Sequence, residues 1–437
     1  MSRYRYLPML LSILCMGCGQ LYNRQAIKGI MLLIVNAAGL FYLTLFFPDA
    51  IKGLVTLGEY PARMELVNEV YRHIPGDHSI FLMIKGLISL VSALFYPLIY
   101  VWSIRDASQV GRLREAGKKP NTFRLDLKAA RDRRFPYLLL AIPALGILLF
   151  TIIPIFFMIL LAFTNYSAPN HIPPAKLVDW TGFQSFIDLV QIKTWSHTFY
   201  GVLLWTVIWA ITSTFTTYFG GLFVALLVHK KGIRFKTVWR TLFILPYAIP
   251  QIISLLVMRN LFNGQFGPIN QYLSYFGLDK LPWLTDPVWA KITVILVNMW
   301  IGTPLTMVLM IGVLSSLPRE VYEAANVDGA SPLQQFRFIT LPMILFSTAP
   351  ILIIQFAGNF NNFNVIYLMT NGNPVQSDYQ YAGSTDLLVT WLYKLTLESS
   401  KFNTASAIGI IIFLIIASLS IWSYRRSSSY KEEDMVQ

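Results

Sequence analysis

Residues 292–318 carry no formally charged side chain, and neither do residues 338–377. An uncharged apolar run of that length suits a helix crossing a hydrocarbon core of about 30 Å, which takes roughly 20 residues. Such runs recur through the chain. In lipid every backbone N–H and C=O must be bonded within the protein, so a chain with this pattern folds as a set of spanning helices. Composition agrees: 55% of the 437 residues are hydrophobic and 13% are charged, against about 25% charged in soluble domains. The sequence therefore reads as an all-α polytopic membrane protein.

Residues 7–21 are apolar but short, and are read as a re-entrant or interfacial helix. A polar turn at 20–25 precedes a span near 27–47. A loop of mixed charge, 48–79, leads to a span near 80–104. Six further spans are expected at 136–163, 199–228, 238–261, 288–315, 338–360 and 404–424. Between the two groups lies 105–134, with ten Lys/Arg against four Asp/Glu. Basic loops stay in the cytoplasm, so this one marks the inner face. The short loop His229-Lys230-Lys231-Gly232-Ile233-Arg234-Phe235-Lys236 is basic and inside as well. Loops 164–198, 262–287 and 361–403 are nearly charge-balanced and rich in Trp, Tyr, Asn, Gly and Pro, so they are placed outside. The alternation leaves the C-terminal tail, 426–437, in the cytoplasm. It also places there the polar stretch 323–342, wedged between two spans. The net charge of +13 resides in loops beside spans, which excludes the clustered basic face of a nucleic-acid binder.

Several signals of other chemistry fail on inspection. Cys15 and Cys18 are two sulfurs with no histidine nearby, an incomplete zinc site, and are read as small apolar residues of a membrane segment. Gly111 to Lys119 (GRLREAGKK) has five residues between its glycines and no Ser/Thr after the lysine, so it is not a phosphate loop. The histidines His73, His78, His171, His197 and His229 are scattered. With no HExxH and no paired intramembrane carboxylates, an integral-membrane enzyme is the weaker class. The six core spans hold almost no ionisable residues in their interiors, which argues against proton symport and against a charged cargo. They hold prolines instead: Pro143, Pro154, Pro246, Pro250, Pro304, Pro342 and Pro350. Each removes a backbone donor and is a candidate kink or hinge.

The stretch 323–342 has its own local grammar. Ser315-Ser316-Leu317-Pro318 reads as a helix start with proline in the first turn. Residues 319–327 suit a short amphipathic helix, and Gly329 suits the positive φ of a helix C-terminal turn. Ser331 and Gln334 form a capping box for a second helix. Ala324 and Ala325 offer a small-residue face for close docking, and Glu323 and Asp328 can accept charge-assisted bonds.

The pattern Glu323-Ala324-Ala325, three residues, Gly329, nine residues, Ile339-x-Leu341-Pro342 resembles the EAA loop of binding-protein-dependent ABC importer permeases. The resemblance implies that 316–342 forms a coupling element seated on an ATP-hydrolysing subunit. Asp179-Trp180-Thr181-Gly182-Phe183 is similar to the tryptophan/glycine turn of sugar permeases. So are Phe360-Asn361-Asn362-Phe363 and Leu368-Met369-Thr370-Asn371-Gly372. Ala382-Gly383-Ser384-Thr385-Asp386-Leu387-Leu388-Val389 narrows the likeness to the larger maltose/maltodextrin permease subunit.

The implied fold is a six-helix type I ABC importer core preceded by two or three N-terminal membrane helices. Residues 1–134 form the N-terminal helices and basic linker, and 135–198 the first core span and short outer loop. The remaining transmembrane domain is 199–425. The outer loop 164–198 is short, whereas the enterobacterial member carries an extra domain there, so smaller loops must meet the solute-binding protein.

The resemblance implies a transport subunit with no ATPase site or cofactor of its own. Its partners would be a second permease, two ATP-binding subunits that hold ATP and Mg, an extracellular solute-binding protein, an oligosaccharide and the lipid of a bacterial cell membrane. Asn298, Gly302, Asn359 and Asn362 match sugar-contacting positions, and amides suit hydroxyls because they both donate and accept. Asn359 and Asn362, three apart, are expected on one helix face. Leu305 stands where the pattern has tyrosine, and Gly358 where it has phenylalanine. The cargo expected is a maltodextrin-type oligosaccharide, with another oligosaccharide or glycerol phosphate as alternatives. Phosphate would want Arg or Lys in the core, and none is evident.

Overall fold

The computed structural model describes residues 3–67, 70–121, 135–172, 176–230 and 232–426, with isolated positions between 122 and 134. The expected cytoplasmic tail and much of the basic linker lie outside the described residues. The chain forms two compact units, Met1–Gly182 and Phe183–Gln437. Among the described residues, seven helices are long and apolar enough to cross a membrane, and a bent helix pair makes an eighth. That is two N-terminal spans and a core of six. The helix Arg3–Leu14, at 12 residues, is too short to cross.

In the first unit Arg3–Leu14 packs along Ser79–Glu115. The chain reverses at Gly17, whose φ is +99°. A Cβ there would lie 2.5 Å from the Gly29 carbonyl oxygen, so both the conformation and the close approach require glycine. Cys18–Tyr22 then returns along Ser79–Glu115. Cys15 Sγ lies 3.6 Å from the Asn36 amide nitrogen that donates to it. The polar turn at 20–25 is tied to residues far along the chain. Gln20 Nε2 donates to Ser103 O at 2.8 Å and to Asp106 Oδ2 at 3.1 Å. Gln20 Oε1 accepts from the hydroxyls of Ser12 and Ser103. Lys28 pairs with Asp106. Asn23 donates to Ala107 O, and Arg114 donates to Tyr22 O and Asn23 Oδ1.

The expected loop 48–79 is shorter in the structure. Phe47–Thr56 continues as helix because Pro48 falls in its first turn, where a missing N–H has no intrahelical partner to lose. An antiparallel hairpin follows, Arg63–Val67 with Val70–Ile74, Arg63 opposite Ile74. The span Phe135–Ala162 passes through a π turn, Leu148–Ile152.

The second unit is organised on Lys193–His229, which packs against Pro287–Ser316 and Leu341–Phe360. Small residues bring these helices close, as lipid-embedded packing favours. A Cβ on Gly221 would lie 2.5 Å from Thr306, and one on Gly302 would lie 2.6 Å from the Thr217 methyl. Trp209, Val294 and Ile366 belong to one buried cluster, and Tyr218, Met307 and Ile344 to a second.

The span expected at 238–261 is broken. Lys236–Ala248 and Gln251–Leu261 meet at 94°. Pro250 explains the break: its ring disfavours helical geometry at the residue before it, and Ile249 is extended at φ −91°, ψ 136°. Pro246 is carried inside the first half without ending it. The span expected at 338–360 starts earlier, at Pro332, and reaches Leu341–Phe360 through a π turn, Phe336–Thr340. Both this turn and Leu148–Ile152 come just before a proline, Pro342 or Pro154. A widened turn relieves the clash between a proline ring and the preceding turn.

Candidate functional site

The EAA stretch folds as two short helices. Arg319–Val327 is capped by Pro318 itself, with no side-chain cap. The expected placement of that proline in the first turn is off by one position, because its ψ of 129° lies outside the helical range. Asp328 closes the helix and Gly329 takes φ +77°. Ser331 and Gln334 form the expected capping box, with Ser331 N donating to Gln334 Oε1 at 2.7 Å. Gln335 Nε2 reaches back to Asn326 Oδ1 at 2.7 Å and Ala330 O at 3.0 Å. The Tyr322 and Thr340 hydroxyls meet at 2.9 Å. These cross-links make the loop one rigid piece.

Its outward face differs from the expected one. Glu323 and Ala324 are exposed, but Ala325 is buried. Ala324 and Ala325 therefore do not share a docking face, since successive helical residues point about 100° apart. The most exposed apolar side chains are Val327, Leu333 and Phe338, at 88%, 74% and 68%. Ile339 and Leu341 are half-buried and Pro342 is exposed, starting the next span.

The second constellation lies elsewhere in the same unit. Asn298, on Pro287–Ser316, is about 27 Å along that helix from its loop end at Ser316. Asn362 Nδ2 donates to Asn298 Oδ1 at 3.1 Å, and Asn298 Nδ2 to Asn359 Oδ1 at 3.4 Å. Asn359 Nδ2 donates to Thr214 Oγ1 at 3.0 Å. Asn298 and Asn359 are buried and Asn362 is half-buried.

The three expected amides thus converge, though not as one helix face. The helix ends at Phe360, and Asn362 is the N-cap of Phe363–Met369, accepting from Val365 N. A sharp helix end places both amides on Asn298 where a continuous helix would not. Gly302 sits one turn from Asn298 and is half-buried against Thr217. A Cβ on Gly358 would meet nothing within 4 Å, and Leu305 is 48% exposed. The two positions where tyrosine and phenylalanine were expected thus open onto free space.

Sequence reasoning missed the supporting residues. Gln355 Nε2 donates to Thr217 Oγ1 at 2.7 Å, and Trp209 Nε1 to Asn359 O at 2.9 Å. The available signal was the run Thr212-Ser213-Thr214-Phe215-Thr216-Thr217, a dense set of hydroxyls in an apolar span. Among the described residues no three His, Cys, Asp or Glu lie together as metal ligands.

A third polar assembly holds the loop after Phe363–Met369. Asp386 is fully buried, accepting from Gly383 N at 2.7 Å, Thr390 Oγ1 at 2.8 Å and Lys394 Nζ at 2.7 Å. Trp205 Nε1 donates to Thr385 O, and Leu388 N to Thr206 Oγ1, which fastens this loop to Lys193–His229.

Residues 217–429 match the family described as binding-protein-dependent transport system inner membrane component. The chain is 40% identical to the galactooligosaccharides transport system permease protein GanP of Bacillus subtilis (strain 168), over 99% of this chain and 100% of that protein. It is 37% identical to the maltodextrin transport system permease protein MdxF of the same organism, over 96% and 95%. It is 41% identical to the maltose/maltodextrin transport system permease protein MalF of Escherichia coli (strain K12), over 55% of this chain and 48% of that longer protein. In fold it is similar to a chain of a bacterial ABC transporter involved in import of the acidic polysaccharide alginate. The TM-score is 0.58, with 24% identity over 70% of this chain and 99% of that one.

Proposed function

This chain belongs to the inner membrane components of binding-protein-dependent transport systems, as a permease of sugar ABC importers, and from that premise we propose that it carries a neutral oligosaccharide of the maltodextrin type past Asn298, Asn359 and Asn362. One observation carries the reading. Three amides from separate elements converge among the spans, and each NH2 group uses one of its two hydrogens in the chain Asn362–Asn298–Asn359–Thr214. Three spare N–H donors suit hydroxyls of a bound sugar. Gly302 supports the cluster by close helix packing.

The second cargo supported by a specific observation is a galactooligosaccharide, because the identity to the Bacillus galactooligosaccharide permease, 40% over 99% of this chain, exceeds the 37% over 96% to the Bacillus maltodextrin permease. Both cargoes are neutral and rich in hydroxyls. Leu305 and Gly358 are the positions where the two would be told apart.

Coupling runs through the loop. Glu323, Ala324, Gly329 and the exposed Val327, Leu333 and Phe338 form the face presented to an ATPase subunit, while Ala325, Ile339, Leu341 and Pro342 anchor that face to the span behind it. The chain works with a second permease, two ATPase subunits that bind ATP and Mg, and an extracellular solute-binding protein, in a bacterial cell membrane with its C-terminus inside. Closure of the ATPases moves the rigid loop, and the span Leu341–Phe360 carries that motion to Asn359 at its far end. Linked sites of this kind require each ligand to favour one state of the same element.

Two variants test the halves separately. Glu323→Lys is expected to leave the protein in the membrane and lower both ATPase association and uptake about tenfold or more; normal uptake would sink the loop assignment. Asn359→Ala with Asn362→Ala is expected to lower sugar uptake about tenfold with assembly and ATPase association intact. Unchanged uptake there would move the sugar site elsewhere.

A further inference from the structure

The helices Gln251–Leu261 and Phe363–Met369 pack against each other through Leu255, Ile366 and Met369. At one end of the pair Asn364 Nδ2 donates to Gln251 Oε1 at 3.3 Å, next to Asn362 of the amide cluster. At the other end lies a cleft of about 460 Å3 that includes Arg259, Asn260, Thr370 and Asn373 around the apolar side chains of Leu256 and Leu284. This end is remote from the EAA loop, since one span separates each of them from it. From 364 to 370 is about 9 Å along a helix, and from 251 to 259 about 12 Å.

We propose that this cleft is a second saccharide subsite, at the mouth of the path, which holds the trailing units of a long oligosaccharide while its leading units lie at Asn298, Asn359 and Asn362. The proposal rests on the reading of those amides as the sugar site.

The chemistry of the lining favours hydroxyls. The Arg259 guanidinium and the Asn260 amide make no side-chain hydrogen bond among the described residues. Asn373 spends one donor on Thr370 O, at 3.1 Å, and keeps its side-chain oxygen free. Donors and an acceptor around an apolar floor match a sugar ring, which both donates and accepts along its edge and is apolar on its face. An acidic side chain of a docking protein would use the donors alone and leave the acceptor and floor idle.

The wall is also preorganised, as a binding site requires. Thr370 and Thr385 hydroxyls meet at 2.8 Å, Thr385 Oγ1 donates to Asn373 O at 2.7 Å, and the buried Asp386 fixes Gly383, Thr390 and Lys394 behind them. A sugar confined to the amide cluster cannot reach this wall, whereas a longer chain can. The cleft therefore sets a preference for length.

The test uses the complete transporter in proteoliposomes, driven by ATP with its binding protein saturated by maltose or by maltohexaose, and a matched pair of galactooligosaccharides as the second series. Arg259→Ala with Asn260→Ala is expected to slow transport of the long sugar about fivefold to tenfold and that of the disaccharide less than about twofold. Arg259→Gln, which keeps a donor, is expected to recover part of the loss. The thermal midpoint should not move, because both side chains are exposed. An equal fall for both lengths, with weaker binding-protein association, would make the cleft a docking surface and overturn the proposal. So would no change at either length. Failure of the central reading looks different: Asn359→Ala with Asn362→Ala would then leave both lengths transported normally, whatever the cleft variants do.

Discussion

Each unit buries a polar assembly among apolar helices, and the two are built in opposite ways. In the first unit Gln20 uses both amide hydrogens and both lone-pair positions, and its neighbours are the ion pair Lys28–Asp106 and the cation Arg114. That knot is charged and closed. In the second unit Asn298, Asn359 and Asn362 are neutral, and each leaves an amide hydrogen unspent. That cluster is open. Polar groups in lipid are costly unless satisfied, so a closed set reads as a fastener and an open set as a place awaiting a ligand. Charge sharpens the contrast. A half-buried ion pair is weakened when either partner is removed and its charge left behind, whereas a neutral amide tolerates exchange of one hydroxyl partner for another.

The comparison breaks most visibly at Asp106. Asp106→Ala strips the half-buried Lys28 of its carboxylate and Gln20 of an acceptor, at a cost of about 1–3 kcal/mol. The expected result is a large fall in membrane-inserted, folded protein, measured by detergent-solubilised yield and thermal midpoint. Removing both charges together, Lys28→Met with Asp106→Leu, is expected to restore most of that yield, because the penalty comes from a charge left behind. If the single and double variants fold equally poorly, the knot is not an electrostatic fastener. The amide variants Asn359→Ala and Asn362→Ala should show the reverse pattern, with uptake lost and yield kept.

How legible each region is from sequence follows the range of its contacts. The EAA loop is legible because its signals are local: a glycine at positive φ, a Ser-x-x-Gln box and a motif within twenty positions. The spans are legible because hydrocarbon imposes length and apolarity on each one separately. The knot is only half legible. Residues 20–25 announce a polar turn, but Ser103, Asp106 and Ala107 lie more than eighty positions away. The break at Pro250 is hidden for another reason. Seven prolines interrupt the core spans; Pro143, Pro246, Pro304 and Pro350 are carried inside helices and Pro154 and Pro342 follow π turns, so nothing in the sequence singles out Pro250 as the site of a 94° bend. The same difficulty hides the helix end at Phe360, which separates Asn359 from Asn362 and yet brings both to Asn298.

Gly302 tests whether the open cluster depends on its packing. An added methyl would lie 2.6 Å from Thr217 Cγ2, so Gly302→Ala is expected to cost about 1–3 kcal/mol by overpacking and to shift Asn298, one turn away. Thr217→Ser in the same chain removes the opposing methyl and keeps the hydroxyl that accepts from Gln355. It should recover most of the thermal midpoint and of the uptake. A Gly302→Ala protein with a normal midpoint and poor uptake, unmoved by Thr217→Ser, would make Gly302 a direct sugar contact instead.

The smallest effect is expected where a charged pair is neither closed in nor awaiting a ligand. His197 Nε2 lies 2.6 Å from Asp378 Oδ2, and both side chains are more than half exposed. The hydrogen bond from His197 holds the Asp378 carboxyl below its ordinary range. A carboxylate with a lowered folded-state pKa contributes only while ionised. Its contribution is present above the unfolded value of about 3.9 and is lost as pH falls through the folded one. Exposed pairs contribute little, and Gln380 N to Thr198 Oγ1 and Trp391 Nε1 to Gln380 O hold the same loop independently. Protection against hydrogen exchange in 376–381, taken relative to the intrinsic rate at each pH, should therefore stay flat from about pH 8 to pH 5 and fall only in stronger acid. Asp378→Asn should reproduce that fall in protection at neutral pH without changing yield or uptake. A loss of yield in that variant as large as in Asp106→Ala would show that burial and closure do not separate fasteners from surface contacts in this fold.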